Sequence, residues 1–377
     1  MKLKVALVAG GMYDHLYGCI PEFERATGTK VEVLFRGNHP ELNAHLAGLD
    51  EVPYDLVSTH TKYAPSQLRF LAPVEDVDTS DFFPSLLGMA TIDGALYGVP
   101  RNIDLRLLHY RTDLIDKPPT TWNELVEDAR RLTCGERSGF VMPGMDSGLF
   151  GTFYELAEAG GAHVFPPSLV PEVNNEGGRW ALRVLSELYT SGSVPMAITE
   201  WHFDEVHSYF RNGHAAMVFD WPGYYGSYCE ATSAVKDHFK VARMPAGPTG
   251  KIRCYAGSHT FALTKTGVNK TAARELLRFL TAAEQQKIEA RDGSVPARRS
   301  IMREEQESAR GERKRRLALL SGSIETDLII PPKLACYPRI EHVLWRTVRS
   351  AMVGEMPIEL ALVELERKIG EIVKDAA

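Results

Sequence analysis

The sequence predicts an α/β protein of two lobes, and three observations support that prediction. Strand-like and helical stretches alternate over roughly the first sixty residues, which is typical of a parallel sheet with helices on its faces. The segment 96–114 reads as two short strands joined by a polar stretch, a pattern expected where a chain crosses between lobes. The third observation is the length of 377 residues, because single cores stop growing at roughly 250–300 residues.

The elements of the N-terminal part are short and clearly separated. Strands are predicted at 5–8, 30–35 and 54–59, and amphipathic helices at 20–28 and 41–49. In open sheets of this kind, ligands bind beyond the carboxyl ends of the strands. We therefore expect the loops after the first and third strands, 10–14 and 59–63, to line a pocket.

The crossing segment leads into a well-marked helix. Residues 101–104 (RNID) follow a predicted strand that ends at Pro100 and precede an apolar strand through Leu107 and Leu108. After a Pro-Pro turn, Thr121 and Glu124 have the spacing of a capping box, which predicts a helix start. Later helices are predicted at 149–161, 177–191, 203–212, 271–289 and 302–316, with strands at 139–142 and 215–221 and two helices in the last forty residues.

Composition excludes several classes of protein. A net charge of -6 gives no general attraction to nucleic acid, and no apolar run approaches the ~20 residues that span a bilayer. The apolar run at 5–11 suits a first strand better than a signal peptide. The five cysteines lack a CxxC pair, which argues against a zinc site, although Cys229 and Cys254 could pair. No common catalytic motif occurs.

The chain resembles the maltose-binding-protein-like family (family 1) of ABC-transporter solute-binding proteins. The matching stretches occur in the family's order, at 23–33, 53–57, 71–77, 96–114, 120–132, 210–223, 260–286, 293–301 and 337–361. The resemblance implies a two-lobed periplasmic-binding-protein (type II) fold, of class α/β, with a hinge between the lobes. It implies lobe one at 1–104 plus 259–308, lobe two at 105–258 plus 309–377, and hinge crossings near 103–107, 257–260 and 309–325.

The resemblance also implies a function. We expect a receptor that binds a mono- or oligosaccharide, glycoside or polyol and delivers it to ABC permease subunits in the membrane. We expect a monomer without cofactor, metal or nucleic-acid partner, located in the periplasm or outside the cell, with its export signal absent from this sequence. Arg101 and Lys62 differ from the residue types that the family usually has at these positions, so an anionic sugar derivative stays open as the ligand. A sensory ligand-binding protein and, less strongly, an enzyme on a bilobal fold also stay open.

The candidate ligand-binding residues are polar or aromatic and lie in loops, at the crossings or at a helix start. Asp104 and Trp221 are similar in position to family residues that contact sugar, and the glycine at 257 would let backbone approach a ligand. The full set is Tyr13, Asp14, His60, Thr61, Asn102, Asp104, Ser147, Phe150, Trp221, Tyr224, Tyr255, Gly257, Ser258, His259 and Tyr337.

Overall fold

A computed structural model of the protein describes residues 1–376, in which short strands alternate with helices. The strands are β1 (Lys2–Val8), β2 (Lys30–Gly37), β3 (Leu56–His60), β4 (Leu71–Ala72), β5 (Thr91–Ile92), β6 (Ala95–Leu96), β7 (Val99–Pro100), β8 (Asn102–Leu105), β9 (Leu107–Arg111), β10 (Ser138–Val141), β11 (Ala215–Asp220), β12 (Phe239–Ala242), β13 (Cys254–Gly257), β14 (His259–Thr264), β15 (Val295–Pro296) and β16 (Leu328–Ile329).

The helices surround these strands. They are α1 (Asp14–Tyr17), α2 (Ile20–Thr27), α3 (His39–Ala47), α4 (Ala64–Gln67), α5 (Pro84–Ala90), α6 (Trp122–Leu132), α7 (Asp146–Gly160), α8 (Glu176–Thr190), α9 (Phe203–Arg211), α10 (Tyr225–Tyr228), α11 (Lys270–Leu280), α12 (Ala283–Arg291), α13 (Arg299–Ser308), α14 (Gly311–Thr326), α15 (Tyr337–Met352) and α16 (Ile358–Ala376). Two 3₁₀ turns occur at Met196–Glu200 and Pro222–Tyr224.

The first lobe is built on a sheet with strand order β2-β1-β3-β14-β4, to which β7 is added on β14. Strand β1 runs parallel to β2 and β3, whereas β14 is antiparallel to β3. Strands β3 and β14 are buried along their whole length, as expected for central strands covered on both faces. The carboxyl ends of β1, β2 and β3 therefore meet at one edge of this sheet.

The second lobe is built on a sheet with strand order β10-β11-β9-β12. Helix α6 packs on β10 and β11, and α7, α8, α15 and α16 form a helical layer beside it. The predicted capping box at the start of α6 is confirmed: the Glu124 backbone N–H donates to Thr121 Oγ1 at 3.2 Å, and the Thr121 N–H donates to the Glu124 carboxylate at 3.1 Å.

A third, small sheet with strand order β15-β8-β13-β16 lies between the lobes. Strands β8 and β13 are antiparallel and pair Asp104 with Gly257. The predicted crossings near 103–107 and 257–260 therefore lie side by side. The chain reaches the edge strand β16 directly after α14. The exact lobe boundaries stay a prediction.

Several details differ from the expectations drawn from the sequence. The stretch 271–289, predicted as one helix, is divided between α11 and α12. The charged run 302–316 does not form the single helix predicted for it: it is divided between α13 and α14, and the Arg316 side chain is buried. All five cysteines are free thiols, so Cys229 and Cys254 do not pair. Among residues 1–376, no helix is both long and apolar enough to cross a membrane.

Candidate functional site: a cleft between the lobes

A buried cavity lies between the two lobes, at the carboxyl ends of the strands of the first sheet. Nine of the candidate residues line it, namely Tyr13, His60, Asp104, Ser147, Trp221, Tyr224, Tyr255, Gly257 and His259. The topology explains this gathering, because β1 and β3 end here and β8 and β13 cross here. The cavity is therefore the place where a solute would touch both lobes.

One side of the cavity is formed by three histidines, which we call the histidine wall: His39, His60 and His259. Their rings lie edge to face, with centroids 5.1 Å apart for His39 and His60 and 4.9 Å apart for each of these with His259. The His60 ring lies so close to Gly257 that an added Cβ would come within 2.2 Å of it. Glycine is needed at 257 because a side chain there would collide with this ring.

Asp104 lies against the histidine wall in a buried position. Its Oδ1 accepts from Asn102 Nδ2 at 2.7 Å, and its Oδ2 lies 3.4 Å from His259 Nε2. Burial raises the pKa of Asp104 to about 7, with Glu289 adding to the rise and Arg101 opposing it. The carboxyl group can therefore change its charge near neutral pH.

The histidines carry no charge at neutral pH. Burial lowers the pKa values of His39, His60 and His259, and neighbouring positive groups lower them further. The backbone N–H of Lys62 donates to His60 Nδ1 at 3.2 Å, which leaves the proton on Nε2. A neutral imidazole offers one donor and one acceptor, so the wall suits hydroxyl groups, which also do both.

Several buried polar atoms of the histidine wall and of Asp104 lack a hydrogen-bond partner within residues 1–376. They are His39 Nε2, Asp104 Oδ2 and His259 Nδ1. Buried polar groups in native proteins are nearly always hydrogen-bonded. We therefore expect a bound ligand to supply the missing partners.

The same residues could hold a metal ion. One donor atom from each of His60, Asp104 and His259 lies within 4.8 Å of the others, and imidazole and carboxylate are both zinc ligands. However, the hydrogen bond at His60 Nδ1 keeps a proton on Nε2, and a metal would have to displace one or the other. We assign the group to hydrogen bonding.

A second part of the lining is formed by aromatic rings, which we call the aromatic wall: Phe203, Trp221, Tyr224 and Tyr255. The Phe203 and Trp221 centroids are 5.3 Å apart in an edge-to-face arrangement, and Trp221 meets Tyr255 at 6.4 Å. The Tyr224 hydroxyl donates to Asp204, whose side chain also lines the cavity. These rings offer apolar surface with polar atoms at their edges.

Two buried arginines stand behind the walls, and neither presents a free charge to the cavity. Arg101 Nε donates to Glu289 at 2.6 Å, and Arg106 forms an ion pair with Glu155. From the sequence, Arg101 suggests an anionic ligand. That interpretation loses its support, because Glu289 balances the charge of Arg101.

Six candidate residues lie outside the cavity wall, and their roles differ. Asp14 is exposed and forms an ion pair with Arg36. Asn102 positions Asp104 and also accepts from the His259 backbone N–H at 3.1 Å. The remaining four are fully buried and serve packing or backbone hydrogen bonds, namely Thr61, Phe150, Ser258 and Tyr337.

Some lining residues are absent from the set predicted from the sequence. His39 follows β2, and the rule that placed the loops after β1 and β3 in the pocket applies equally to that loop. By contrast, His202, Phe203 and Asp204 lie at the start of α9, far along the chain, and no local pattern marks them as a pocket wall. Lys62 departs from the family's habit, yet it is not among the predicted residues.

The fold and the enclosed cleft define a two-lobed solute-binding protein. The chain belongs to the family of bacterial extracellular solute-binding proteins, whose sequence profile matches residues 19–312. The expected membership in this class is therefore confirmed, and the family is one of binding proteins.

Solved structures support the same assignment. Maltose-bound MalE3 of T. maritima has a TM-score of 0.90 at 24% identity, covering 98% of this chain and 99% of that one. An ABC transporter solute-binding protein from Agrobacterium radiobacter in complex with ribitol has a TM-score of 0.86 at 23% identity, covering 98% of both chains. At these identities the likeness establishes the fold, and the predicted two-lobed α/β architecture is confirmed.

Curated relatives match over a shorter length. A probable ABC transporter-binding protein of Deinococcus radiodurans is 32% identical over 221 residues, covering 55% of this chain and 52% of the relative. A maltooligosaccharide ABC transporter solute-binding lipoprotein of Streptococcus pneumoniae is 25% identical over 244 residues, covering 63% of this chain and 56% of the relative. The chain thus spans about half the length of the curated relatives it matches.

Proposed function

We propose that this protein is the solute receptor of an ABC importer and binds a neutral sugar or polyol between its lobes. One observation carries the proposal: a hydrogen-bonding wall and an aromatic wall face one buried cavity. Sugars have the matching surfaces, because hydroxyls surround the molecule while its C–H faces are apolar. Pockets of this kind combine apolar lining with a few placed polar groups.

The names of similar proteins support a carbohydrate. They include a maltooligosaccharide-binding lipoprotein and a galactooligosaccharide-binding protein among the relatives, and complexes with maltose, ribitol and tagatose among the structures. Since the ligands of these proteins differ in size, they support the class of ligand and not one member of it.

The charges around the cavity favour a neutral ligand over an anionic one. Lys62 Nζ lies 2.8 Å from the Glu341 carboxylate, and Arg101 is paired with Glu289. A sugar acid would bring a negative charge to a site whose positive groups are already balanced. Burying an unpaired charge is costly.

Ligand binding would favour the closed arrangement, because only that arrangement lets the solute contact both walls. We propose that the closed form of a monomer then meets the permease outside the cytoplasmic membrane. We propose no chemical conversion of the ligand. A sensory partner would use the same cleft, so reconstitution with purified permease is the test of that step.

A thermal-shift screen tests the ligand class. Neutral sugars and polyols should raise the melting temperature, since a ligand at 100 times its Kd stabilises the native state by about 2.7 kcal/mol. Sugar acids, polyamines and short peptides serve as comparison sets. A rise with one of these sets alone would overturn the proposal. Recovery of an altered ligand after incubation would indicate an enzyme.

A further inference from the structure

A buried ion pair joins the two lobes beside the cavity, which the Lys62 side chain lines. Lys62 follows β3 of the first lobe, and Glu341 lies on α15 in the helical layer of the second lobe. Lys62 Nζ lies 2.8 Å from Glu341 Oε2, and the Tyr63 hydroxyl donates to the other carboxylate oxygen. Both charged side chains are buried. This contact is made by protein alone and takes up space between the lobes.

Aromatic rings complete the filling around the ammonium group. Lys62 Nζ lies 4.7 Å from the ring centroid of Tyr63, 5.6 Å from that of Tyr255 and 5.8 Å from that of Tyr337. Such distances are those of cation–π contacts. We call Lys62, Tyr63, Tyr337 and Glu341 the Lys62–Glu341 cluster. A ligand that extended beyond Lys62 would have to enter this cluster.

The lobes also meet closely at another edge of the cavity. A Cβ added to Gly10 would lie 3.9 Å from Asp204 Oδ2, and one added to Gly11 would lie 3.8 Å from the Tyr224 ring. Asp204 is itself bound by the Tyr224 hydroxyl. Backbone of the first lobe thus faces a fixed pair of side chains from the second, which leaves little width for a ligand chain.

The volume between these contacts is small. The cavity measures about 50 Å³, whereas one buried water needs roughly 10–15 Å³ on the same measure. The space corresponds to a few water molecules. It is closer to the needs of one sugar unit than to those of a chain of units.

From these contacts we propose that the cleft accepts a single sugar unit or a polyol of similar length, and that the Lys62–Glu341 cluster excludes longer saccharides. This inference rests on the proposed carbohydrate function. A second unit on the Lys62 side would separate two buried charges, and removing one buried charge from its partner is strongly unfavourable. The cluster therefore sets ligand length, whereas the histidine and aromatic walls set ligand chemistry.

Calorimetric titration of the full chain tests the size limit with matched pairs. The probes are glucose against maltose and maltotriose, galactose against lactose, and ribitol and tagatose as single units. At least one single unit should bind, and every longer saccharide should bind about 100-fold more weakly or not at all. Maltose, lactose or maltotriose binding as tightly as the best single unit would overturn the size limit but leave the carbohydrate function standing. Absence of binding by every probe would overturn both.

Paired substitutions test the role of the cluster. Lys62→Ala with Glu341→Ala empties the space without leaving a lone charge. The ratio of the Kd for a longer saccharide to the Kd for a single unit should fall by about tenfold or more. Lys62→Met with Glu341→Leu keeps the space filled and should retain the preference. An unchanged preference in the first pair, with a native melting curve, would overturn the assignment.

The matched control removes an ion pair of the same residue types away from the cleft. Lys287 Nζ lies 3.0 Å from Glu304, on α12 and α13 of the first lobe. Lys287→Ala with Glu304→Ala should leave both affinity and length preference unchanged. If the protein with Lys62→Ala and Glu341→Ala does not fold, the variant with Lys62→Met and Glu341→Leu decides the question. Loss of its preference for single units over longer saccharides would overturn the role of the cluster.

Discussion

The two walls of the cleft are supported by the same kind of contact from opposite directions. Arg101 and Arg106 flank β8, yet Arg101 turns into the first lobe and pairs with Glu289 of α12, while Arg106 turns into the second and pairs with Glu155 of α7. Arg101 also donates to the Tyr13 carbonyl at 2.7 Å. The crossing strand thus fixes a charged group in each lobe.

The supports differ in what they hold. Glu155 also accepts from the Tyr255 backbone N–H at 2.9 Å, and the Arg106 guanidinium lies 5.8 Å from the Trp221 ring centroid, so this pair stands behind the aromatic wall. Arg101 instead stands behind Tyr13 and influences Asp104. The Arg106–Glu155 pair therefore holds the aromatic wall in place, whereas the Arg101–Glu289 pair sets the charge environment of Asp104.

Removal of either glutamate should cause the largest effect. Glu155→Ala and Glu289→Ala each leave a buried guanidinium unpaired, which costs about 3–5 kcal/mol in the free energy of unfolding. Urea denaturation measures this loss. Glu371→Ala, which breaks the exposed pair with Arg367, should cost less than about 1 kcal/mol. If Glu155→Ala and Glu289→Ala lower the free energy of unfolding as little as this control does, the two buried ion pairs do not support the cleft.

Trp221→Ala tests the aromatic wall itself. Central aromatic residues of binding sites are worth about 2 kcal/mol or more, so the Kd for the best carbohydrate of the screen should rise roughly 30-fold. Trp345→Ala, at a half-buried position on α15, is the matched control and should leave affinity unchanged. Equal affinities for the two variants would remove Trp221 from the site.

Asp104→Asn tests the carboxylate that lies against the histidine wall and should weaken ligand binding less than Trp221→Ala does. The substitution keeps the size of the side chain and removes the charge. Hydrogen bonds to charged groups contribute about 1.5–3 kcal/mol, so the Kd measured by calorimetry at pH 8 should rise about tenfold or more. Unchanged affinity would mean that no ligand hydroxyl reaches the carboxylate.

Ligand affinity should also depend on pH, and this change should be smaller per pH unit than the changes expected from the substitutions. The pKa of Asp104 is raised to about 7, mainly by burial, with Glu289 raising it further and Arg101, Asn102 and Lys62 opposing. Ligand hydroxyls donate to the carboxylate only in its ionised form. When Asp104 is protonated before binding, the ligand can therefore bind in this way only if the carboxyl group first loses its proton. Affinity should therefore fall as pH drops below 7, by at most about tenfold per pH unit, and stay level above it. A flat profile between pH 5.5 and 8 would contradict this.

Stability without ligand should change in the opposite direction. The pKa of Asp104 in the folded protein lies above the usual value of about 3.9, so its contribution is fully present below pH 4 and is lost as pH rises through 7. Melting temperatures of the wild type relative to Asp104→Asn should fall across this window. The opposite trend would place the carboxylate in a stabilising ion pair.

Local spacing predicts several features correctly. The capping box at Thr121 and Glu124 depends on residues three positions apart. The polar stretch 101–104, expected to join two strands, itself contributes to strand β8. The positions of the loops after β1 and β3 place Tyr13 and His60 at the cavity. These features follow from short-range rules that a sequence displays directly.

The remaining features depend on contacts between distant parts of the chain. The pairing of Arg101 with Glu289 joins residues 188 positions apart, and that of Lys62 with Glu341 joins residues 279 positions apart. A single sequence does not indicate which carboxylate neutralises which base. For that reason the sequence alone makes Lys62 and Arg101 suggest an anionic ligand, although both charges are balanced inside the protein.

The contact between Lys62 and Glu341 also has a consequence for the timing of solute exchange. The two side chains come from different lobes, so the lobes cannot part until this pair separates and both groups regain water. That event is the same for every solute. We therefore expect the pair to slow the release of every solute by the same factor, in addition to the contribution of each solute's own contacts with the two walls.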